Sequence, residues 1–334
     1  MTRFPDANSG PGLLAQRFLQ AGVQDSAEVY FRLRLERQPE YIWVQRAIAV
    51  WLPYCRGDLK RALENCERFL ERDDLTAGQV GGTLSWMRRL YKEAGKYELV
   101  LATFDVEPAK SRVDEFYDDR IRVGFLIRMG KAREALQWAE ALPETLRVHA
   151  EEIDDPKYLQ YMGIARLAGK ELRAMALAQL DSLDVAEVAV EELLESSKEI
   201  GPYSISRALL LKLRIAIKRN NGGEAMALVE ELEAMGPSLG MWYDYLSELK
   251  ADAFRLQKRY DEAEQVLREH VRIYGGHALG YYKLGQLYEE MRRPDDAAKN
   301  YERFLEMWSE ADDGLPELVD ARTRLAALSL PAGE

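Results

Sequence analysis

A small residue returns at a fixed place along this chain. Tyr260-Asp261-Glu262-Ala263 follows a short turn and opens a helix, and Pro294-Asp295-Asp296-Ala297 does the same one period later (297 − 263 = 34). At that spacing Ala251 falls on Gly285, Phe254 on Tyr288 and Leu267 on Tyr301. A period of this length means stacked supersecondary units, none of which can bury its apolar face alone. It also bears on function, because a stack offers a long surface rather than one compact pocket.

Working back from this pair, a glycine-containing turn followed by the helix-opening small residue recurs. It occurs at Gly222-Gly223-Glu224-Ala225, Gly130-Lys131-Ala132-Arg133-Glu134-Ala135 and Gly57-Asp58-Leu59-Lys60-Arg61-Ala62. Gly22 with Ala27, Gly95 with Val100, and Gly169 with Ala174 extend the series. The anchors are thus 27, 62, 100, 135, 174, 225, 263 and 297. Apolar residues at helical spacing make the first helix of each unit, and a glycine or polar pair breaks it. The small residue lets the second helix approach closely. A larger residue four later (Phe31, Phe104, Leu267, Tyr301) packs across.

The wide step from 174 to 225 calls for an insertion. Asp184 to Ile200, with Glu187, Glu191, Glu192 and Glu195, supplies an extra acidic helix there.

These units resemble tetratricopeptide repeats. In the last one Tyr281, Leu284, Gly285, Tyr288, Ala297 and Tyr301 fall on the family's signature positions. Pro39 ends the first unit twelve residues after Ala27. The segment from Tyr281 to Leu328 is also similar to the C-termini of repeat regions joined to bacterial Ser/Thr kinases and transcription regulators. The resemblance implies an all-α fold: an α-solenoid, a right-handed superhelix of about eight helix-turn-helix repeats. Residues 1–12 read as a flexible lead and 13–311 as the array, degenerate around 150–235. Pro316 in a first helical turn and the apolar Leu318, Val319, Leu325 and Leu328 make 312–330 a capping helix, and 331–334 a tail.

The chain is acidic, with a net charge of −11 and a pI near 5.1. That disfavours general binding to nucleic acid or anionic membranes. Cys55 and Cys66 fit no metal or redox spacing and read as reduced core thiols. No run is long enough to span a bilayer and Met1–Gly12 has no apolar signal core, so the expectation is a cytoplasmic protein.

Several patterns tempt toward chemistry. Gly124 to Gly130-Lys131 and Gly163 to Gly169-Lys170 imitate a phosphate loop, but each has five intervening residues instead of four and no Ser or Thr follows the lysine. They recur 39 residues apart (169 − 130 = 39), which suggests equivalent places in the repeat. Gly78-Gln79-Val80-Gly81-Gly82 reads as a loop before a helix. His270 and His277 are separated by the helix-ending Gly275-Gly276, and no third ligand sits at metal spacing. The acidic pairs Asp118-Asp119, Asp154-Asp155 and Asp312-Asp313 suit helix starts. The aromatic stripe Trp43, Trp51 and Tyr54 suits inter-repeat core. No catalytic residue, cofactor or metal is expected.

In the family the first helix of each unit lines a concave groove. Counting back from the anchors places Arg89, Lys92, Arg120, Arg128, Arg166, Arg214 and Lys218 toward it, with Tyr245, Tyr281 and Tyr282 as aromatic contacts. Guanidinium forks suit carboxylate and phosphate. The expected function is a non-enzymatic interaction scaffold or adaptor that binds a peptide or protein segment, acidic or phosphorylated, in the groove. The alternative is a regulatory or sensory module controlling an effector (a kinase, protease or transcription regulator) on a partner chain or missing domain. A helical enzyme lacks a coherent constellation of reacting groups. RNA binding would need a basic face that the overall charge opposes. The paired Lys and Asn of chaperone-docking repeats are not seen.

Overall fold

The computed structural model describes residues 14–104 (without 16 and 20), 121–141, 156–236 and 243–329, and the backbone alone for 156–166 and 243–245. The expected lead, tail, Arg120, and the side chains of Arg166 and Tyr245 lie outside the described residues. The fold is an α-solenoid of helical hairpins, and its described residues contain no strand.

Among the described residues, eight chain reversals share one geometry. Each places a residue in left-handed backbone: Gly22, Gly57, Gly95, Gly130, Asp181, Asn220, Lys258 and Arg292, with φ from 55° to 82°. The N–H of that residue donates to the carbonyl three positions back, as from Gly22 to Leu19 at 2.9 Å and from Arg292 to Glu289 at 2.9 Å. The following N–H donates five positions back, as from Val23 to Phe18 and from Arg293 to Tyr288, both at 2.8 Å. This closes the first helix with a Schellman motif and satisfies its last carbonyls.

The second helix starts at once. The fifth residue after the left-handed one is Ala27, Ala62, Val100, Ala135, Ala186, Ala225, Ala263 or Ala297, and none is more than 1% exposed. Four further on stand Phe31, Cys66, Phe104, Ala139, Val190, Val229, Leu267 and Tyr301, all buried. Turn, small residue and packing residue thus form one unit written eight times.

One expected turn is absent. Pro156–Gln179 is a single helix that runs through Gly169, and the reversal comes at Asp181. The anchor is therefore Ala186, not Ala174, and the acidic Leu183–Ser197 is the second helix of this hairpin rather than an insertion. Ala174 is buried for another reason. It stands twelve residues before its anchor, the place of Ala251 and Gly285 in the last two units. At that place Tyr301 lies so close to Gly285 that an added Cβ would sit 2.5 Å from the ring. A small residue is needed on both helices, and sequence alone does not distinguish the two uses. The likeness of Gly169-Lys170 to Gly130-Lys131 is accidental, since only Gly130 sits in a turn.

Helix ends follow local chemistry. Asp58 accepts from the Arg61 N–H at 3.1 Å and Asn221 from that of Glu224 at 3.2 Å. Thr76 and Gln79 form a capping box, so Gly78 to Gly82 lies inside helix Ala77–Glu93 and not in a loop. Pro53 offers no N–H to the carbonyl of Ala49, and the chain widens into a π-turn over Ala47–Trp51. The Asn65 side-chain amide donates to that carbonyl at 2.5 Å.

The described residues form two compact units. The second comprises residues 108–266. In it, helix packs on helix in chain order from Pro156–Gln179 through Leu183–Ser197, Pro202–Lys218 and Gly222–Ala234 to Tyr243–Leu256. Its core is built from successive clusters, Leu211 and Ile215 in one and Leu213, Val229 and Ala253 in the next, with half-buried Leu194 packed against both. The first unit departs from the nearest-neighbour rule of repeat arrays. It joins residues 1–107 with 267–334.

The last helix, Pro316–Leu328, packs on Pro294–Met307 through the buried Leu318 and Ala321. Val319, expected on that face, is 52% exposed. Arg324 pairs with Asp320 at 2.6 Å and with Glu289 of helix Ala278–Glu290 at 2.5 Å.

Candidate functional site

Within the first unit, three consecutive glycine turns from the N-terminal hairpins receive loops and side chains from the C-terminal ones. At the first, Arg272 donates to the carbonyls of Ala21 at 2.9 Å and Gly22 at 3.2 Å. At the second, the Gly275 N–H donates to the Cys55 carbonyl at 3.0 Å, and Arg303 to the Gly57 carbonyl at 2.7 Å. At the third, the Asp312 N–H donates to the Gly95 carbonyl at 3.0 Å, and its carboxylate accepts from the Glu98 N–H at 2.9 Å. The acidic residue expected to serve a helix start does so for Tyr97–Ala102, more than 200 positions away.

These contacts carry apolar weight as well. Trp308 is fully buried, meets Tyr97 edge-on with ring centres 6.3 Å apart, and donates its indole N–H to the Glu93 carbonyl at 2.8 Å. The loop before helix Ala278–Glu290 fits because Gly276 has no side chain, since a Cβ there would lie 2.3 Å from the Tyr54 ring.

A charge sits inside this junction. The Glu93 side chain is 3% exposed, with Lys92 Nζ 3.1 Å from one oxygen and His277 Nδ1 3.5 Å from the other. Burial alone pushes its carboxyl up, but Lys92, His277 and Arg89 outweigh that and hold it down to about 2. Burial and the Glu93 charge together push the Tyr54 hydroxyl well above the ordinary tyrosine range. His270 and His277 are not kept apart by the glycines between them. The turn folds one back on the other, with rings 4.6 Å apart and edge to face. Burial raises the Cys66 thiol to about 12, so it behaves as an inert core residue.

Beside the second and third turns lies a cleft of about 490 Å³. Leu59, Leu63, Tyr91 and Leu99 line one wall, and Arg303, Met307 and Ser309 the other. Two ion pairs edge it: Lys96 with Glu310 and Arg303 with Glu306, each at 2.5 Å.

The residues expected in the groove divide. Arg89 and Lys92 belong to the buried junction, where Arg89 also lies 5.6 Å from the Tyr54 ring centre. Lys218 donates to the Ala178 carbonyl at 2.8 Å and to Asp181 at 3.0 Å. Tyr282 donates to Asp320 at 2.7 Å and accepts from Gln286, and Tyr281 donates to the Gly275 carbonyl at 3.3 Å. Arg128 and Arg214 are half-buried on first helices. Counted from the observed anchors, Arg89 and Arg214 share one position, eleven before, and Arg128 and Lys218 another, seven before. Arg166 loses its place, because its anchor moves twelve residues on, to Ala186. Glu171 and Asp252 fall on the same first-helix series, and Glu171 is paired with Arg207, so the basic run is interrupted.

No sequence signal tied the junction residues Trp308, Gly276 and Asp312 to the N-terminal turns they meet. A clue was available in the glycines: three of the four glycine turns are the docked ones.

Residues 282–330 match the tetratricopeptide repeat family. No curated protein matches the chain. Among solved structures, a tetratricopeptide repeat protein from Parabacteroides merdae is 16% identical with a TM-score of 0.47, covering 86% of this chain and 98% of that one. A Rap protein complexed with competence and sporulation factor is 12% identical with a TM-score of 0.49, covering 96% and 99%. BtubC from P. vanneervenii is 18% identical with a TM-score of 0.45, covering 59% and 82%. The family match thus covers the C-terminal part of the chain, whose hairpin shares its turn geometry with the seven others among the described residues. None of its helices, among the described residues, is long and apolar enough to cross a membrane.

Proposed function

We propose that this chain is a non-enzymatic interaction scaffold that holds a peptide or protein segment along the first helices of its hairpins. One observation carries the reading. All eight anchors and the residues four beyond them are consumed in packing hairpin on hairpin, so a repeating surface is left to the other side chains of the first helices. Cations recur there at one matched position, Arg128 with Lys218, which supports an acidic or phosphorylated segment as the partner.

The test uses arrays of acidic, phosphorylated and basic peptides probed with the full chain, wild type against Arg120→Glu with Arg128→Glu. The expected outcome is binding of acidic or phosphorylated peptides that the double variant loses. Equal binding by the variant removes the groove assignment, and binding of no peptide class removes the scaffold.

A regulatory reading has one observation in its favour. Residues from both ends of the chain meet in the first unit, so a partner that binds the joined or parted arrangement unequally would shift the balance between them. The measurement is the activity of a co-expressed effector with and without the peptide.

A further inference from the structure

We infer that the cleft beside the second and third turns is a docking site for a short peptide segment with an apolar side chain flanked by basic residues. It goes beyond the groove reading, because it lies elsewhere and takes the opposite charge.

Two features point to this occupant. The floor is apolar and reachable: Leu59 is buried, Leu63 and Met307 are half-buried, and Leu99 is left 44% exposed at the mouth. An exposed leucine beside an unfilled apolar floor gains by being covered. Charge then selects among apolar segments. Five carboxylates line the cleft (Asp58, Glu64, Glu67, Glu306, Glu310) against three cations. Two of those cations are engaged, Lys96 with Glu310 and Arg303 with Glu306. Asp58, Glu64 and Glu67 then face a single lysine, Lys60, so the remaining excess is negative. Glu67 accepts a long hydrogen bond from Tyr91 at 3.3 Å and Glu64 is 3.8 Å from Arg68, both weak enough to exchange for a ligand guanidinium.

The volume agrees with a few side chains and is too small for a docked helix. Both walls come from the first unit, one from residues 57–99 and one from 303–310. An occupant therefore touches both stretches and stabilises their union by its own binding free energy.

The experiment uses the full chain labelled with ¹³C at methionine methyls, with the Met307 signal assigned by Met307→Leu. The probes are a synthetic hexapeptide with two central leucines flanked by arginines, and its counterpart with glutamates in place of the arginines. The arginine peptide should move the Met307 signal in a saturable way and the glutamate peptide should not. Leu99→Glu, at an exposed site, should weaken the response about tenfold, the loss expected for one uncovered leucine contact. Glu64→Lys with Glu67→Lys should weaken it similarly, while Arg128→Glu with Arg214→Glu should leave it unchanged. A Met307 signal indifferent to the arginine peptide, an equal response to both peptides, or an unaffected Leu99→Glu variant overturns the proposal. Failure of the groove reading shows instead in the array test, with Met307 still responding.

Discussion

The first four hairpin turns and the last four have the same backbone but different residues at its left-handed position. Gly22, Gly57, Gly95 and Gly130 serve the first four, and Asp181, Asn220, Lys258 and Arg292 the last. Left-handed backbone alone does not explain the division, since ordinary side chains adopt it four times here. Close approach explains three of the glycines. A Cβ on Gly22 would meet Arg272 at 2.4 Å, on Gly57 the Gly275 carbonyl at 3.2 Å, and on Gly95 the Ala311 methyl at 2.7 Å. Gly130 has nothing within 4 Å, so no close approach requires glycine there. One motif is thus used in two ways: as a plain reversal, and as a flat surface on which distant backbone can land.

That contrast can be broken from either side. The largest effect is expected for Trp308→Ala, which empties a fully buried site and removes the indole bond to the Glu93 carbonyl. It should cost about 3–5 kcal/mol in urea unfolding of the full chain. Glu93→Gln should follow, at about 3 kcal/mol, because Lys92 and His277 lose the charge they face. Gly95→Ala should cost about 2–4 kcal/mol, combining left-handed strain with overlap, against about 1 kcal/mol for Gly130→Ala, which carries strain alone. Equal losses at the two glycines would erase the distinction. The smallest effect belongs to Lys258→Gly, within about 1 kcal/mol of neutral, as relief at positive φ is offset by a freer unfolded chain.

Acid sharpens the same point. The Glu93 carboxyl is held at about 2 in the fold, against an ordinary 4.5 in the unfolded chain. Its lowered value stabilises the fold fully above that ordinary value, and the contribution is lost as pH falls from about 4.5 to about 2. Over that window wild type should lose about 3 kcal/mol more than Glu93→Gln, read from urea midpoints at each pH.

Much of the fold is legible in the residues because the repeat is local. Turn, small residue and packing residue lie within nine positions, so every hairpin but one can be located from the sequence. The exception is instructive. Gly169 reads as the turn because glycine is the stronger local signal, whereas the reversal falls at Asp181, and the same turn elsewhere takes asparagine, lysine or arginine. The groove residues were counted from the anchors, so the one wrong anchor displaced Arg166. The junction was not legible at all. Asp312 reads as a helix-start acid and caps one, yet its helix begins at Tyr97, and no local pattern encodes that partner. Arg89 and Lys92 looked like groove cations because their nearest acid, Glu93, reads as a surface residue until Trp308 and His277 cover it.

The discontinuity of the first unit sets an order of events during synthesis. Its N-terminal three hairpins leave the ribosome with their turn carbonyls still bare, and Arg272, Gly275, Arg303 and Asp312 are made only after residues 108–266. The second unit, whose helices pack in chain order, can complete itself in that interval. Residues made before the second unit are therefore completed only after it, and until then their turn carbonyls await the partners supplied by residues 272–312.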